Sequence, residues 1–242
     1  MTDIKGKWAL VTGASRGVGK LVARALAAQG ANLILHSRKI DGTLELAKEL
    51  QGMGIQTASV AAELGDPSEV SRLIDELKAF PHPISILYNN AALMTPWRND
   101  AWVIPDEDFR KSFESNTISL IRLCHALAPK MIERQWGRIV NVTSGIQNEP
   151  QLTAYAISKA AVDKFVNDFT PHLQNTGVQM HLMDPGWLQT DLGGSNAPND
   201  PSSVIPGAIL PVLAPDSMGT GKYFHAQDYA GLSLQESLAK LV

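Results

Sequence analysis

The sequence predicts a doubly wound α/β domain, with a parallel β-sheet covered by helices on both faces. Three observations carry this. Short apolar runs alternate with amphipathic segments along the chain. The runs are apolar almost throughout, as strands covered on both faces must be. The first run ends in a glycine-rich turn that opens directly into a helical pattern.

The elements follow in order. "WALVTG" is a buried strand ending in glycine, and "GVGKLVARALAAQG" is a helix closing on Gly30. "NLILHS" is the second strand. "DGTLELAKELQGMG" is a polar-faced helix opening on Asp41 and stopping at Gly52. "QTASVAA" is the third strand. In "DPSEVSRLIDELKAF", Asp66 is the N-cap, Pro67 takes the first helical position and Glu69 has capping-box spacing. "ISILYNNA" is the fourth strand. "PDEDFRKSFESNTISLIRLCHALAPKMIERQ" reads as one long helix, and "GRIVNVTS" as the fifth strand. "AYAISKAAVDKFVNDFTPHL" is a helix with Pro171 in or near its last turn, and "VQMHLMDPG" is the sixth strand. One stretch departs from the pattern. Leu192 to Pro215 is rich in Gly, Pro, Ser and Asn and follows the sixth strand. Ligands of open α/β sheets bind beyond the carboxyl ends of the strands, so residues 192–215 are expected to form a substrate lid on a single domain spanning 1–242.

Composition narrows the function. With 242 residues, 44% of them hydrophobic and 19% charged, the chain can bury a full core. A net charge of −3 gives no electrostatic basis for binding nucleic acid or an anionic membrane surface. No apolar run approaches the ~18 residues of a membrane span. "MTDIKGKWALVTG" carries an early acid and a short apolar run, and does not read as a secretory leader. Cys124 is the one cysteine, so no intrachain disulfide forms and a reducing, cytoplasmic setting is expected. It falls in an apolar helix stripe and is expected to be packed. The six histidines lack zinc spacing, and no metal is expected.

"ALVTGASRGVGK", Ala9 to Lys20, decides the chemistry, because three motifs overlap in it. Gly13 to Gly17 fits a G-x-S-x-G nucleophile elbow, but the elbow needs an oxyanion donor from an earlier strand and there is none. A P-loop fails because Gly13 is one residue too far from Gly19-Lys20, and Leu21 replaces the magnesium-binding hydroxyl. A dinucleotide turn survives. Helix N–H groups and the positive dipole end face the ligand there, and glycines let a pyrophosphate approach.

Thr12-Gly13-Ala14-Ser15-Arg16-Gly17-Val18-Gly19 matches the T-G-x-x-x-G-x-G of the short-chain dehydrogenase/reductases, and the chain resembles that family from about Lys7 to Thr190. The resemblance implies a Rossmann-type fold with a seventh strand at Gly221 to Phe224, giving a seven-stranded sheet. It also implies an oxidoreductase that moves a hydride between nicotinamide and a ketone or secondary alcohol. At the end of the second strand an acid would select NAD; here stand Ser37 and Arg38, with Arg16 offering a second guanidinium. In the family this combination implies NADP(H). The alternative is that Arg38 is a solvated surface arginine. The same likeness makes Gly13, Ser15, Arg16, Gly17, Val18 and Gly19 cofactor-binding. It adds Glu63-Leu64, where the family has Asp and an aliphatic residue near the adenine, and Asn90-Ala91. Ala92 stands where the family has glycine. Pro185, Gly186, Leu188 and Thr190 are implied at the nicotinamide.

Tyr155 and Lys159 stand four apart and share a helix face. A free tyrosine titrates near ~10, a neighbouring ammonium favours the phenolate, and the cationic nicotinamide of an oxidised cofactor would push the same way; a drop of about two units, ~3 kcal/mol, is within what a close cation in a partly dry site supplies. By resemblance Tyr155 is the general acid/base and Lys159 its partner, and both also contact the cofactor. Ser144, at the end of the fifth strand, holds the substrate oxygen; Thr143 is the competing position. Asn116 in "ESNTISL" is the family's helix asparagine, whose main chain holds a relay water. Met94, Ile146, Trp187 and Leu192 suggest an apolar pocket, which Trp97 and Trp102 either line or flank. The resemblance covers NADP-preferring carbonyl reductases, the 3-oxoacyl-carrier-protein reductases among them. It implies a small carbonyl or alcohol substrate and a homodimer or homotetramer. The alternatives are a non-catalytic NADP(H)-binding regulator or scaffold on the same fold, and a related dehydration or epimerisation.

Overall fold

The computed structural model describes residues 1–241. Seven strands form one all-parallel sheet in the order β3-β2-β1-β4-β5-β6-β7. They are β1 (Trp8–Val11), β2 (Asn32–Ser37), β3 (Thr57–Ala61), β4 (Ile84–Asn89), β5 (Gly137–Val142), β6 (Val178–Asp184) and β7 (Tyr223–His225). The chain winds outward from β1 to β3, then returns to lay β4 on the other side of β1. That reversal leaves a crevice between β1 and β4 at their carboxyl ends, where open α/β sheets bind ligands.

Alternation along each strand divides the core. Ala9 and Val11 pack on one side with Val22 and Leu26 of α1 (Gly17–Ala28) and Leu46 of α2 (Asp41–Gly52). Trp8 and Leu10 face the other side, with Leu73 of α3 (Pro67–Lys78), Leu123 of α5 (Ser119–Glu133) and Val162 of α6 (Thr153–Phe169). Asp66 caps α3 as its sequence predicts, accepting from the N–H groups of Ser68 (2.8 Å) and Glu69 (3.3 Å). The Glu69 carboxylate does not close the box on Asp66. It accepts from the Glu63 N–H at 2.7 Å and so fixes the turn after β3.

Two expectations change. The segment read as one long helix is α4 (Asp106–Phe113) and α5 joined by a π turn at Glu114–Ile118. The helical spacing of apolar residues runs on through the wider turn, so the break leaves no mark in the sequence. The lid boundaries are also corrected. Val204 and Pro206 to Ala214, including α7 (Leu210–Leu213), are buried in the core, and Tyr88 Oη donates to Ala208 O at 2.7 Å. Only the earlier part lies over the sheet edge, where Gln189 N–H donates to Asn199 O at 2.9 Å and ties the loop to itself. Pro171 is the second residue of a 3₁₀ turn, Thr170–Leu173, that follows α6. The C-terminal α8 (Leu234–Ala239) has a capping box between Ser233 and Glu236, and packs Leu234 and Leu238 on its own core.

Candidate active site

The glycine turn sits at the crevice. Gly17 has φ +52, in the left-handed region, and its open side faces Thr190, whose methyl carbon lies 3.6 Å from where a β-carbon would stand. Gly19 has no room for a side chain: a β-carbon there would stand 2.2 Å from Gly13 O and 2.5 Å from Asn90 Nδ2. Thr12 Oγ1 accepts from the N–H groups of Asn90 (2.9 Å) and Ala91 (3.0 Å), while Asn90 Nδ2 donates to Thr12 O at 2.9 Å. The turn after β1 and the chain leaving β4 are therefore laced together. Asn90, read as a cofactor contact, spends its amide on this brace. Val18 is partly buried against the core.

His36 was set aside as a scattered histidine, yet it supports the turn from beneath. Gly13 N–H donates to its Nδ1 at 3.3 Å, and its Nε2 lies 3.1 Å from Ala62 O. Those partners fix the neutral tautomer with hydrogen on Nε2. Burial pushes its pKa down to about 4. Nothing in the sequence separates it from the other histidines.

At the adenosine end, Ser37 is buried and its hydroxyl donates to Lys39 O at 2.5 Å; Ser15 and Ser37 both lie against the start of α2 at Gly42. Arg38 is exposed. Arg16 does not turn toward Arg38: its guanidinium pairs with Asp191 at 2.7 Å. Both partners are well exposed, so the pair is weak and free to exchange for another anion. Glu63 Oε1 accepts from Gly65 N–H at 3.1 Å, and Leu64 is buried. After β6, Pro185 and Gly186 turn the chain, Leu188 is buried, and Thr190 meets Gly17 as described.

The second half of the site lies on β5, α6 and the π turn. Tyr155 is 5% exposed and Lys159 2%. Lys159 Nζ donates to Val142 O at 2.8 Å and lies 5.9 Å from the centre of the Tyr155 ring. Ser144 lies near the Tyr155 hydroxyl and favours its ionisation, but burial dominates and pushes the tyrosine up to about 12. This reverses the expected direction. Spacing shows that Lys159 is near, while the cost of an anion in a dry site depends on packing. Burial likewise pulls Lys159 down to about 8. The Asn116 side chain is fully engaged: Oδ1 accepts from Leu93 N–H (2.7 Å), and Nδ2 donates to Leu93 O (2.9 Å) and Ser158 Oγ (3.0 Å). It ties the π turn to the loop after β4 and to α6. Thr143, the competitor of Ser144, turns away and donates to Asp163.

Taken together, a glycine turn at a helix start and a half-buried Ser144 beside the buried Tyr155 and Lys159 stand at the carboxyl ends of the strands. The family model for short chain dehydrogenases matches residues 7–201. The chain belongs to the short-chain dehydrogenase family. It is 35% identical over 214 residues to the oxidoreductase UcpA of Escherichia coli strain K12, covering 85% of this chain and 80% of that one. A 3-oxoacyl (acyl-carrier-protein) reductase from Agrobacterium tumefaciens with NADP bound superposes with a TM-score of 0.82 at 26% identity, covering 92% of this chain and 93% of its own. A 7α-hydroxysteroid dehydrogenase complexed with NADH and a 7-oxo bile acid superposes at 0.81 with 26% identity, covering 96% of each chain. This short-chain dehydrogenase is thus a nicotinamide-dependent oxidoreductase. Among its described residues no helix is long and apolar enough to cross a membrane. Cys124 is fully buried, with its thiol pushed up to about 12.

Two carboxylates near Lys159 escaped the sequence reading. Asp163 stands one turn along α6, and burial raises its pKa. Asp184 ends β6, and its charge acts on both Tyr155 and Lys159. Asp163 shared a helix face with Lys159 and could have been found by i, i+4 spacing. Asp184 could not, because only the sheet brings β6 beside β5.

Proposed function

We propose that this short-chain dehydrogenase interconverts a ketone and a secondary alcohol with NADP(H), with Tyr155 as the general acid/base. The observation that carries the reading is the buried Tyr155, with Ser144 near its hydroxyl and Lys159 behind its ring, beside the glycine turn. The turn fits a dinucleotide: it opens directly into the N-terminus of α1, and Gly17 and Gly19 keep side chains out of the approach. Gly13 to Gly19 would hold the pyrophosphate, Ser37 with Arg16 and Arg38 the 2′-phosphate, Glu63 and Leu64 the adenine side, and Pro185 to Thr190 the nicotinamide. When bound, the reduced cofactor supplies hydride to the carbonyl carbon. The carbonyl oxygen then gains an electron pair from the breaking π bond. Ser144 donates a hydrogen bond to that oxygen and Tyr155 donates its proton. Lys159 stabilises the phenolate left behind, and Asn116 holds the backbone of the π turn beside it. Met94, Ile146, Trp187 and Leu192 offer an apolar approach suited to a small carbonyl compound. A module that only bound NADP(H) would have no use for Ser144 beside a buried Tyr155 and Lys159. We place the working enzyme in the cytoplasm as a homodimer or homotetramer, and sedimentation as a monomer at working concentration would refute the assembly.

Fluorescence titration with NADPH and NADH tests the cofactor half. NADPH should bind at least tenfold more tightly, about 1.4 kcal/mol. Arg38→Leu should erase most of that preference without weakening NADH, since the lost partner is a phosphate that NADH lacks. Binding of neither nucleotide would overturn the reading.

A further inference from the structure

A charged contact joins the glycine turn to the segment after β6. Arg16 Nη1 donates to Asp191 Oδ2 at 2.7 Å, although the two residues stand 175 positions apart in the chain. Arg16 is the N-cap of α1, and Gly17 beside it faces Thr190. The carboxylate is delivered by a loop tied to itself. Thr190 Oγ1 accepts from Gly193 N–H at 3.2 Å, and Thr190 O accepts from Gly194 N–H at 2.8 Å. Trp187 Nε1 donates to Gly193 O at 2.8 Å, and Gln189 Nε2 donates to Ala197 O at 3.0 Å. The charged ends are not tied in the same way. The Arg16 and Asp191 side chains are 65% and 69% exposed, and among the described residues each has only the other as a side-chain partner.

We propose that Asp191 is a specificity residue for the cofactor: it holds Arg16 in the free protein, and a 2′-phosphate has to take the arginine from it. This rests on the NADP(H) reading above, in which Arg16 and Arg38 share that phosphate. With no phosphate between them, an Arg16 turned toward Arg38 would set two guanidinium charges side by side. Asp191 gives Arg16 an opposite charge instead. A phosphate dianion offers both arginines charge-assisted bonds, about twice as strong as neutral ones. The pair it replaces is so exposed that its own worth is small. The exchange therefore favours the phosphate, and Asp191 lowers the affinity for NADPH by the worth of the pair. NADH has no 2′-phosphate and leaves Arg16 where it is. Asp191 thus narrows the gap between the two nucleotides.

The test is a fluorescence titration of NADPH and NADH against the parent, Asp191→Asn, Arg16→Gln and the double variant. Asp191→Asn removes the charge and keeps the shape. It should tighten NADPH by about three- to fivefold, the scale of an exposed ion pair, and leave NADH within about twofold. In the Arg16→Gln background the same change should alter NADPH affinity by less than about twofold, because no arginine is left to release. An equal gain for both nucleotides would mean that the carboxylate only repels phosphate at a distance, and would overturn the proposal. So would a gain that survives in Arg16→Gln, or no gain in an Asp191→Asn protein that melts like the parent. The two readings fail separately. A parent that binds neither nucleotide removes the cofactor reading itself, whereas a parent that prefers NADPH beside an indifferent Asp191→Asn removes this inference alone.

Discussion

Tyr155→Phe is expected to lower ketone-dependent NADPH oxidation by about 10²- to 10⁴-fold, the usual worth of a positioned general acid. The ring stays and only the hydroxyl leaves. Phenylalanine fills the same buried space, so the fold and the nucleotide cradle should be undisturbed. Ser144 is only half-buried, and its hydroxyl still accepts from the Ile146 N–H at 3.3 Å. Lys159 keeps its bond to Val142 O. NADPH affinity, read by fluorescence titration, should therefore remain nearly unchanged while turnover collapses. That split separates a proton donor from a cofactor contact, because a contact would raise Kd and leave the chemistry intact. Turnover within a few-fold of the parent would remove Tyr155 from the mechanism.

The success and the failure of the sequence reading have one physical root. Periodicity reports which face of an element is buried, and it reported this well. Strands such as "NLILHS" and helices such as "DPSEVSRLIDELKAF" stand where their patterns put them. Glycine spacing reported the turn, since Gly17 and Gly19 answer to local backbone needs. What periodicity cannot report is how tightly distant segments close on each other. Leu192 to Pro215 looked like a mobile loop because it is rich in glycine and proline. Yet "VIPGAILPVLA" carries enough apolar side chains to fill one face of the sheet, and it does. Tyr155 looked like an activated phenol because Lys159 is four residues away. The depth of its burial, and Asp184 across the sheet, depend on strand order. The π turn at Asn116 was invisible because the residues around it keep helical spacing. It carries the Asn116 amide, whose three hydrogen bonds to Leu93 and Ser158 join segments far apart in the chain. The Ser144, Tyr155 and Lys159 group was legible through the family likeness. Its supports, Thr12, His36 and Asp184, were not, because each acts through a partner far away in the chain.

Gly19→Ala should abolish nucleotide binding more completely than any change in the arginines. The added methyl would stand 2.2 Å from Gly13 O and 2.5 Å from Asn90 Nδ2. The oxygen belongs to the backbone and has no rotamer to escape into, so the turn itself must move. Moving it strains the brace in which Asn90 Nδ2 donates to Thr12 O and Gly13 O and Thr12 Oγ1 accepts from Asn90 and Ala91. Overpacking of this kind costs about 1–3 kcal/mol of stability. Affinity for NADPH should fall by on the order of a hundredfold, two tenfold steps of about 1.4 kcal/mol each. Gly52→Ala is the matched control. It lies in the last turn of α2, nothing stands within 4 Å of its new methyl, and its effect on binding should be nil. A thermal melt separates the two ways Gly19→Ala could act. A variant that still melts cooperatively near the parent yet no longer binds NADPH has lost the cradle and kept the fold. A variant that binds NADPH as well as the parent would mean that the turn gives way without cost, and that the pyrophosphate does not rest on Gly13 to Gly19.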